Sequence, residues 1–194
     1  MMSHYFTNDD VKSNEKLIDI KINGNSYSFY VDSGTFSKKG LDFGTRTLLE
    51  SIDLSEINGD ILDFGCGWGP IGIYIAKETE SYVDMIDVNR KALALSCNNA
   101  RLNDVSVNVF ESNMYENVDK KYDFIISNPP IRVGKKILYE ILFMAYDFLK
   151  ENGKLLIVVN KDQGAKSLMK DLSQRYDVEV VRKNKGFYVI KASK

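Results

Sequence analysis

The chain is poor in the residues that bind metals or form disulfides. Its 194 residues include two cysteines, Cys66 and Cys97, and one histidine, His4. A zinc site cannot be built from that set alone, and a disulfide framework is not expected. So few cysteines suit a reducing compartment. These absences favour a cytoplasmic protein without a metal centre.

Long apolar runs are missing as well. No run approaches the roughly 20 residues of a membrane-spanning helix, and the polar stretch from Met1 to Lys16 lacks the apolar core of a signal peptide. Apolar residues make up 44% of the chain and charged residues 27%, as in an ordinary soluble domain. We therefore expect one soluble domain over residues 1–194, with no membrane partner.

An excess of either charge is also lacking, because 26 basic and 27 acidic side chains leave a formal net charge of −1. General attraction to a polyanion is not expected from that balance. Any contact with nucleic acid must therefore come from a local basic patch.

The alternation of apolar residues divides the chain into two regions. Residues 1–52 contain two alternating runs around Asn23-Gly24, which predict a β-hairpin, then a loop and a short helix over 45–52. In residues 59–194, strands alternate with helices, a turn is predicted at 151–153, and two final strands form an antiparallel hairpin. The pattern predicts an α/β, Rossmann-like, mostly parallel seven-stranded sheet with helices on both faces. Ligands of such sheets bind outside the carboxyl ends of the strands.

The first strand of this core runs into a glycine-rich loop that starts at Asp63. Gly67, Gly69 and Gly72 fit the G-x-G-x-x-G pattern, and Asp87 follows about 20 residues later, where a carboxylate accepts ribose hydroxyls. A dinucleotide enzyme and an adenosylmethionine enzyme both use this arrangement. A tight turn without any ligand is the third interpretation.

Asp63 favours adenosylmethionine, because a carboxylate at the strand end suits the ammonium of a bound amino acid and is a poor neighbour for a pyrophosphate. The D-x-G-x-G-x-G run resembles the first motif of class I methyltransferases. The end of the third strand resembles their adenine-contacting segment, although Asn113 could simply cap a loop. The resemblance implies S-adenosyl-L-methionine as cofactor, held by Asp63, Gly65, Cys66, Gly67, Gly69, Asp87, Val88, Asn113, Met114 and Asn128.

The fourth strand ends in Asn128-Pro129-Pro130-Ile131. Two successive prolines stiffen the backbone and have no N–H to offer. They leave their carbonyls pointing into the site as acceptors. An exocyclic amine held by the Asn128 oxygen and the Pro129 carbonyl would turn its lone pair toward a sulfonium methyl, and positioning would supply most of the rate. Asn128, Pro129 and Pro130 are therefore the predicted catalytic residues. The alternative is a simple strand end.

The tetrapeptide resembles the [D/N/S]-P-P-x motif of amine and amide nitrogen methyltransferases. More closely, the chain is similar to the small-domain family that includes the 16S ribosomal RNA guanine-N2 methyltransferases. The similarity covers the N-terminal hairpin, GTFSKKGLDFGTRTLLE from Gly34, DFGCGWGPIG from Asp63, NPPIRVGK from Asn128 and GFYVIKA from Gly186. It implies a class I methyltransferase that acts on ribosomal RNA or the small ribosomal subunit. It also implies that the segment 34–47 covers the cofactor.

Two departures from this family bear on the substrate. Better-known members carry a second, N-terminal copy of the fold, which we do not expect in this chain. Ile131 stands where an aromatic residue is common, which disfavours a flipped DNA adenine. Phe36 or Phe43 could supply a ring instead, although a core position is favoured for each. Trp68 is expected beside the methionine moiety.

Cations flank the predicted mouth of the site on both sides and could track a phosphate backbone. A solvated lysine-rich surface is the alternative. The predicted substrate-binding residues are Phe36, Lys38, Lys39, Arg46, Ile131, Arg132, Lys135 and Lys136.

Methylation of a guanine N2 in ribosomal RNA is the favoured function. Three alternatives stay open: another nitrogen, above all a protein glutamine amide; a noncatalytic module that keeps the cofactor fold; and an NAD oxidoreductase. Adenosylhomocysteine binding would separate the last of these, because a dehydrogenase would ignore that ligand.

Overall fold

The computed structural model describes residues 15–32, 40–129 and 134–194. Strands and helices alternate along most of this length, as the sequence predicts. The elements are β1 (Glu15–Ile22), β2 (Asn25–Asp32), α1 (Phe43–Leu49), β3 (Ile61–Phe64), α2 (Pro70–Thr79), β4 (Val83–Asp87), α3 (Arg90–Leu102), β5 (Val107–Glu111), β6 (Tyr122–Ser127), α4 (Lys135–Phe148), β7 (Leu149–Asn160), α5 (Ala165–Leu172), β8 (Asp177–Asn184) and β9 (Phe187–Ser193). Short 3-10 helices lie at Leu54–Glu56 and Lys161–Gln163.

Seven strands form one sheet in the order β5-β4-β3-β6-β7-β9-β8. The first five are parallel, while β9 runs antiparallel to β7 and to β8. The predicted Rossmann-like sheet with a C-terminal antiparallel hairpin is therefore confirmed. The strand order reverses at β3 and β6: β4 and β5 are added on one side of β3, and β6 and β7 on the other. The loops after β3 and β6 therefore meet at the switch point where such sheets bind ligands.

Apolar side chains cover both faces of the sheet, in one cluster with the N-terminal hairpin, α1, α2 and α3 and another with α4 and α5. The predicted hairpin, β1 and β2, forms its own two-stranded sheet. Phe29 packs edge-on against Trp68, with ring centroids 4.9 Å apart. The buried Asn99 amide donates to Tyr30 O (2.9 Å) and Trp68 O (2.8 Å) and accepts from Tyr30 N (2.7 Å). The hairpin is thereby fixed to the glycine loop.

Three local predictions are wrong. Residues 151–153 lie inside β7, where the pairing with β6 shifts register and Asn152 has a left-handed φ of 63°. The bulge absorbs the turn-forming residues without ending the strand. The sequence pattern predicts a helix over 164–176, but α5 ends at Leu172, and α1 starts at Phe43 rather than at residue 45 because Asp42 caps it. No helix in the described ranges is long and apolar enough to cross a membrane.

Candidate functional site

The glycine loop connects β3 to α2 and is shaped by positive backbone angles. Gly65, Gly67 and Gly69 have φ values of 70°, 57° and 95°, which cost a residue with a side chain far more than glycine. A Cβ on Gly69 would lie 2.6 Å from Ser96 Oγ, so this glycine is needed for close packing on α3. A Cβ on Gly65 would meet nothing within 4 Å, which leaves open space above the loop.

Asp63, the last polar residue of β3, is 1% exposed. Its Oδ2 accepts a hydrogen bond from Gly72 N at 2.8 Å, while Oδ1 is buried without a hydrogen-bond partner in the described structure. Burial, assisted by the charge of Asp87, raises the pKa of Asp63 to about 7 against the opposing effect of the Gly72 N–H. An unsatisfied buried carboxylate oxygen costs free energy unless a donor reaches it. The ammonium of a methionine moiety is such a donor, so Asp63 fits the predicted cofactor.

Asp87 ends β4 beside the same loop. Its Oδ2 accepts from Gly67 N (2.9 Å) and its Oδ1 from Asn89 N (2.9 Å). Burial raises the pKa of this carboxyl, although the surrounding backbone N–H groups oppose the rise. Asp87 and the half-buried Val88 lie at the carboxyl end of β4, and their part in holding a ribose stays a prediction.

Cys66 is placed in the loop, but its side chain is turned into the core. Its Sγ lies 3.7 Å from Ser96 Oγ, and burial raises the pKa of the thiol well above its usual value. A neutral buried thiol is chemically inert, so only the backbone of Cys66 is available to a ligand.

The predicted adenine segment forms a tight turn after β5. Ser112 is buried, and its hydroxyl donates to Met114 O at 2.9 Å while its backbone N–H donates to Asp87 O at 3.1 Å. Asn113 is exposed, and its Nδ2 donates to Glu116 Oε1 at 2.9 Å. The turn therefore stands at the carboxyl edge of the sheet, next to Asp87.

Asn128 follows β6 and is held by α1. Its Nδ2 donates to Thr45 Oγ1 (2.9 Å) and to Asp42 Oδ1 (3.2 Å). Thr45 Oγ1 donates in turn to Asp42 Oδ2 (2.6 Å), and Asp42 Oδ1 accepts from Thr45 N (3.0 Å) as the N-cap of α1. Both amide hydrogens of Asn128 are thus directed at α1. Its Oδ1 receives no donor from the described parts of the chain and is left as an acceptor.

The neighbours of Asn128 fix the strand end. Ser127 Oγ donates to Phe64 O at 2.7 Å, which ties β6 to the start of the glycine loop, and Pro129 is buried. Of the remaining predicted site residues, the following lie outside the described residues: Phe36, Lys38, Lys39, Pro130, Ile131 and Arg132.

The described members of the predicted basic cluster lie on two helices, Arg46 on α1 and Lys135 and Lys136 on α4. Arg46 Nη1 donates to Lys21 O (2.7 Å) and faces Glu50 (3.4 Å), so it braces the hairpin. Lys135 and Lys136 are exposed in the first turn of α4, with Lys135 Nζ 5.0 Å from the Tyr139 ring centroid. Their part in substrate binding stays a prediction.

One aromatic residue differs from expectation. Phe43 is 36% exposed rather than buried, and it touches Phe187 of β9 with ring centroids 5.6 Å apart. Trp68 packs its ring on Phe29 in the core, and its place beside the methionine moiety stays a prediction. Sequence reasoning missed the roles of Asp42 and Thr45, although an Asp at a helix start is an N-cap signal. Within the described ranges, no group of acidic, cysteine or histidine side chains could hold a metal.

The switch-point site, with a buried carboxylate under a glycine loop and an Asn-Pro pair after β6, defines a Rossmann-like methyltransferase. Residues 26–191 match the family model described as "Methyltransferase small domain", and the chain belongs to this family.

The chain is similar to two relatives over different shares of their length. The uncharacterized protein YbxB of Bacillus subtilis is 42% identical over the full length of both chains. The ribosomal RNA small subunit methyltransferase C of Psychromonas ingrahamii is 34% identical over 75% of this chain and 43% of that protein. The chain thus spans less than half of that relative's length.

A solved structure shares the fold. The T. thermophilus 16S rRNA N2 G1207 methyltransferase, in complex with AdoMet and guanosine, is 20% identical with a TM-score of 0.82. The match covers 93% of this chain and 50% of that one. The predicted class, a methyltransferase that uses S-adenosylmethionine, is confirmed by these findings.

Proposed function

We propose that the chain methylates a nitrogen of small-subunit ribosomal RNA, and that this nitrogen is the exocyclic N2 amine of a guanine. The orientation of the Asn128 amide carries the proposal, because its Oδ1 is left as an acceptor at the switch point. Relatives named ribosomal RNA small subunit methyltransferase C, 34% to 39% identical over part of the chain, support the choice of substrate.

The cofactor supplies an electrophilic methyl group when it is bound. Asp63 Oδ1 would accept a charge-assisted hydrogen bond from its ammonium, which would give that buried oxygen a donor. The Asp87 carboxylate would hold the ribose hydroxyls. The open space above Gly65 admits the ligand against the backbone of the loop.

Asn128 positions the amine that is methylated. One amine hydrogen is donated to Asn128 Oδ1 and the other to the Pro129 carbonyl, so the nitrogen lone pair is directed at the methyl group. The Asp42 carboxylate fixes the amide against flipping and polarises it toward a more negative oxygen. That oxygen interacts most strongly with the amine as positive charge develops on it.

The bond changes need no base before attack. With the cofactor bound, its methyl group would pass to the nitrogen that Asn128 and Pro129 hold, the sulfur would keep the electron pair of the broken bond, and the methylated nitrogen would release a proton to water. Positioning of two bound reactants is the source of the rate.

The proposal is tested with radiolabelled S-adenosylmethionine. The protein is incubated separately with protein-free 16S ribosomal RNA, with small ribosomal subunits and with total ribosomal proteins, and labelled products are digested to nucleosides or amino acids. We expect label in N2-methylguanosine. Label in a protein amide, or no label despite tight adenosylhomocysteine binding, would contradict the proposal and favour a protein methyltransferase or a noncatalytic module.

A further inference from the structure

The tip of the β8–β9 hairpin lies at the same edge of the sheet as Asn128. β9 pairs with β7 so that Phe187 stands opposite Asn160, the last residue of β7. Asn184 Nδ2 donates to Thr47 Oγ1 of α1 at 3.3 Å, which docks the tip on the helix that holds Asn128. The tip is therefore a wall of the site and not a remote loop.

An exposed aromatic ring stands at this junction. Phe43 lies between Asp42 and Gly44, one residue from a direct contact with the Asn128 amide. A Cβ on Gly44 would lie 3.0 Å from the Phe187 ring, so this glycine lets α1 approach β9 closely. Phe43 contacts Phe187 on one side and remains 36% exposed. A partly exposed aromatic ring beside a candidate reaction centre can stack on a base.

Two lysines accompany the ring. Lys185 Nζ lies 5.4 Å from the Phe43 ring centroid. Lys161 follows β7, its backbone N–H donates to Gly186 O at 2.7 Å, and its side chain lies against Gly186, with Cε 3.4 Å from where a Cβ would stand. Both lysines are exposed, and within the described ranges neither forms an ion pair. Unpaired ammonium groups beside an exposed ring are complementary to a stacked base and its phosphates.

We infer that Phe43, Phe187, Lys161 and Lys185 form an RNA-binding platform, in which Phe43 stacks on the target base and the two lysines bind phosphates. The inference rests on the proposed function and deepens it, because it identifies where a chain of net charge −1 attracts RNA. The Phe43 ring would do the work of the aromatic side chain that is absent at position 131.

The experiment uses the full chain and two pairs of matched variants. Affinity for a fluorescently labelled single-stranded RNA of roughly 12 nucleotides, near the size that one domain covers, is measured by anisotropy over a range of salt. The charge variant is Lys161→Ala with Lys185→Ala. Its control is Lys77→Ala with Lys121→Ala, which removes two exposed lysines at the opposite edge of the sheet. The ring variant is Phe43→Leu, and its control is Phe43→Trp.

The platform predicts a specific pattern of changes in affinity. The charge variant weakens RNA binding about tenfold, and the slope of log Kd against log salt falls by about 1.4, or about 0.7 for each single-strand phosphate that a lysine no longer neutralises. Phe43→Leu weakens binding about tenfold, whereas Phe43→Trp binds like the wild type, because stacking needs a ring. Adenosylhomocysteine affinity stays unchanged in every variant, which shows that the fold is intact.

Two outcomes would overturn the inference, and they are distinguishable. If the wild type methylates ribosomal RNA while platform and control variants bind RNA equally well, the platform is wrong and the proposed function stands. If the wild type neither binds the RNA nor transfers label to ribosomal RNA, both fail together.

Discussion

At Asn128, side chains from a distant part of the chain determine which amide atom is left as an acceptor. Asp42 and Thr45 take both amide hydrogens, and they precede Asn128 by 86 and 83 residues. The sequence predicts Asn128 as catalytic because a short local motif carries the signal. It cannot predict Asp42 as its partner, because only the docking of α1 on the end of β6 brings the two together.

Replacement of Asn128 by Ala tests its role. We expect kcat to fall about 100-fold or more, because the contact strengthens as charge develops in the transition state. Calorimetry should find adenosylhomocysteine affinity changed by no more than about threefold. Collapse of that affinity would show that Asn128 serves the cofactor and not the amine.

We expect Asp42 to act as a positioning residue through its hydrogen bond with Asn128. Asp42→Asn should lower kcat about tenfold with little change in KM, because the amide loses its charged anchor. The thermal midpoint should hardly move, since Asn caps a helix as well as Asp. Asp53→Asn is the matched control, because Asp53 caps the 3-10 helix at Leu54–Glu56. Equal effects of the two substitutions would reduce Asp42 to a structural cap.

Asp63 makes a pH-dependent contribution to stability. Burial raises the pKa of Asp63 to about 7, so between pH 4 and 7 the unfolded chain ionises at this position while the folded, unliganded protein keeps its proton. Stability is lost as pH rises through that window. The thermal midpoint of the wild type should fall relative to Asp63→Asn from pH 4 to pH 7 and run parallel above it. Parallel midpoints throughout would show that the carboxyl titrates normally.

Ligand binding gives the converse result for the same residue. The ammonium of the ligand favours the ionised carboxylate, so adenosylhomocysteine binding at pH 6 should release a proton, visible as calorimetric enthalpies that depend on the buffer. Asp63→Asn should abolish this dependence and weaken binding about tenfold.

At the scale of elements, the hairpin and α3 hold the glycine loop from outside the sheet. Asn99 binds the backbone of both Tyr30 and Trp68, and Ser96 supports Gly67 O at 3.3 Å. The strands and helices of the core were predictable because apolar runs and glycine turns are local signals. The bulge at 151–153 was not, because it depends on how β7 pairs with β6. The position of Phe43 was not predictable either, because the residue that its ring contacts, Phe187, is at the other end of the chain.

A pair of glycine substitutions separates the cost of backbone strain from the cost of packing. Gly69 lies in the glycine loop, and Gly24 lies in the turn between β1 and β2. Gly69 and Gly24 have similar φ values of 95° and 90°. Gly24→Ala should cost about 1 kcal/mol of unfolding free energy, because only the left-handed conformation opposes it and nothing lies within 4 Å. Gly69→Ala should cost about 3 kcal/mol, because its Cβ also meets Ser96 and Ile73. Denaturant unfolding measures both, and equal losses would show that the loop is not packed as described.

At the scale of the whole molecule, one edge of the sheet gathers the groups of the candidate site that the structure describes. The glycine loop, Asp87, the Ser112 turn and Asn128 follow parallel strands, and the antiparallel hairpin brings Phe187 and Lys185 to the same edge. The near-neutral total charge does not show how the charges are distributed over the molecule. Composition therefore predicted the need for a local basic patch but not its location. The predicted cations before and after the motif are partly outside the described residues, and the structure adds Lys161 and Lys185.

The most direct test of the central claim is the nucleoside composition of small-subunit ribosomal RNA from cells that lack the gene. Mass spectrometry should show the loss of one N2-methylguanosine, restored by the wild-type gene but not by a gene that encodes Asn128→Ala. An unchanged content of N2-methylguanosine in the deletion strain would contradict the assignment of guanine N2 in this RNA as the target.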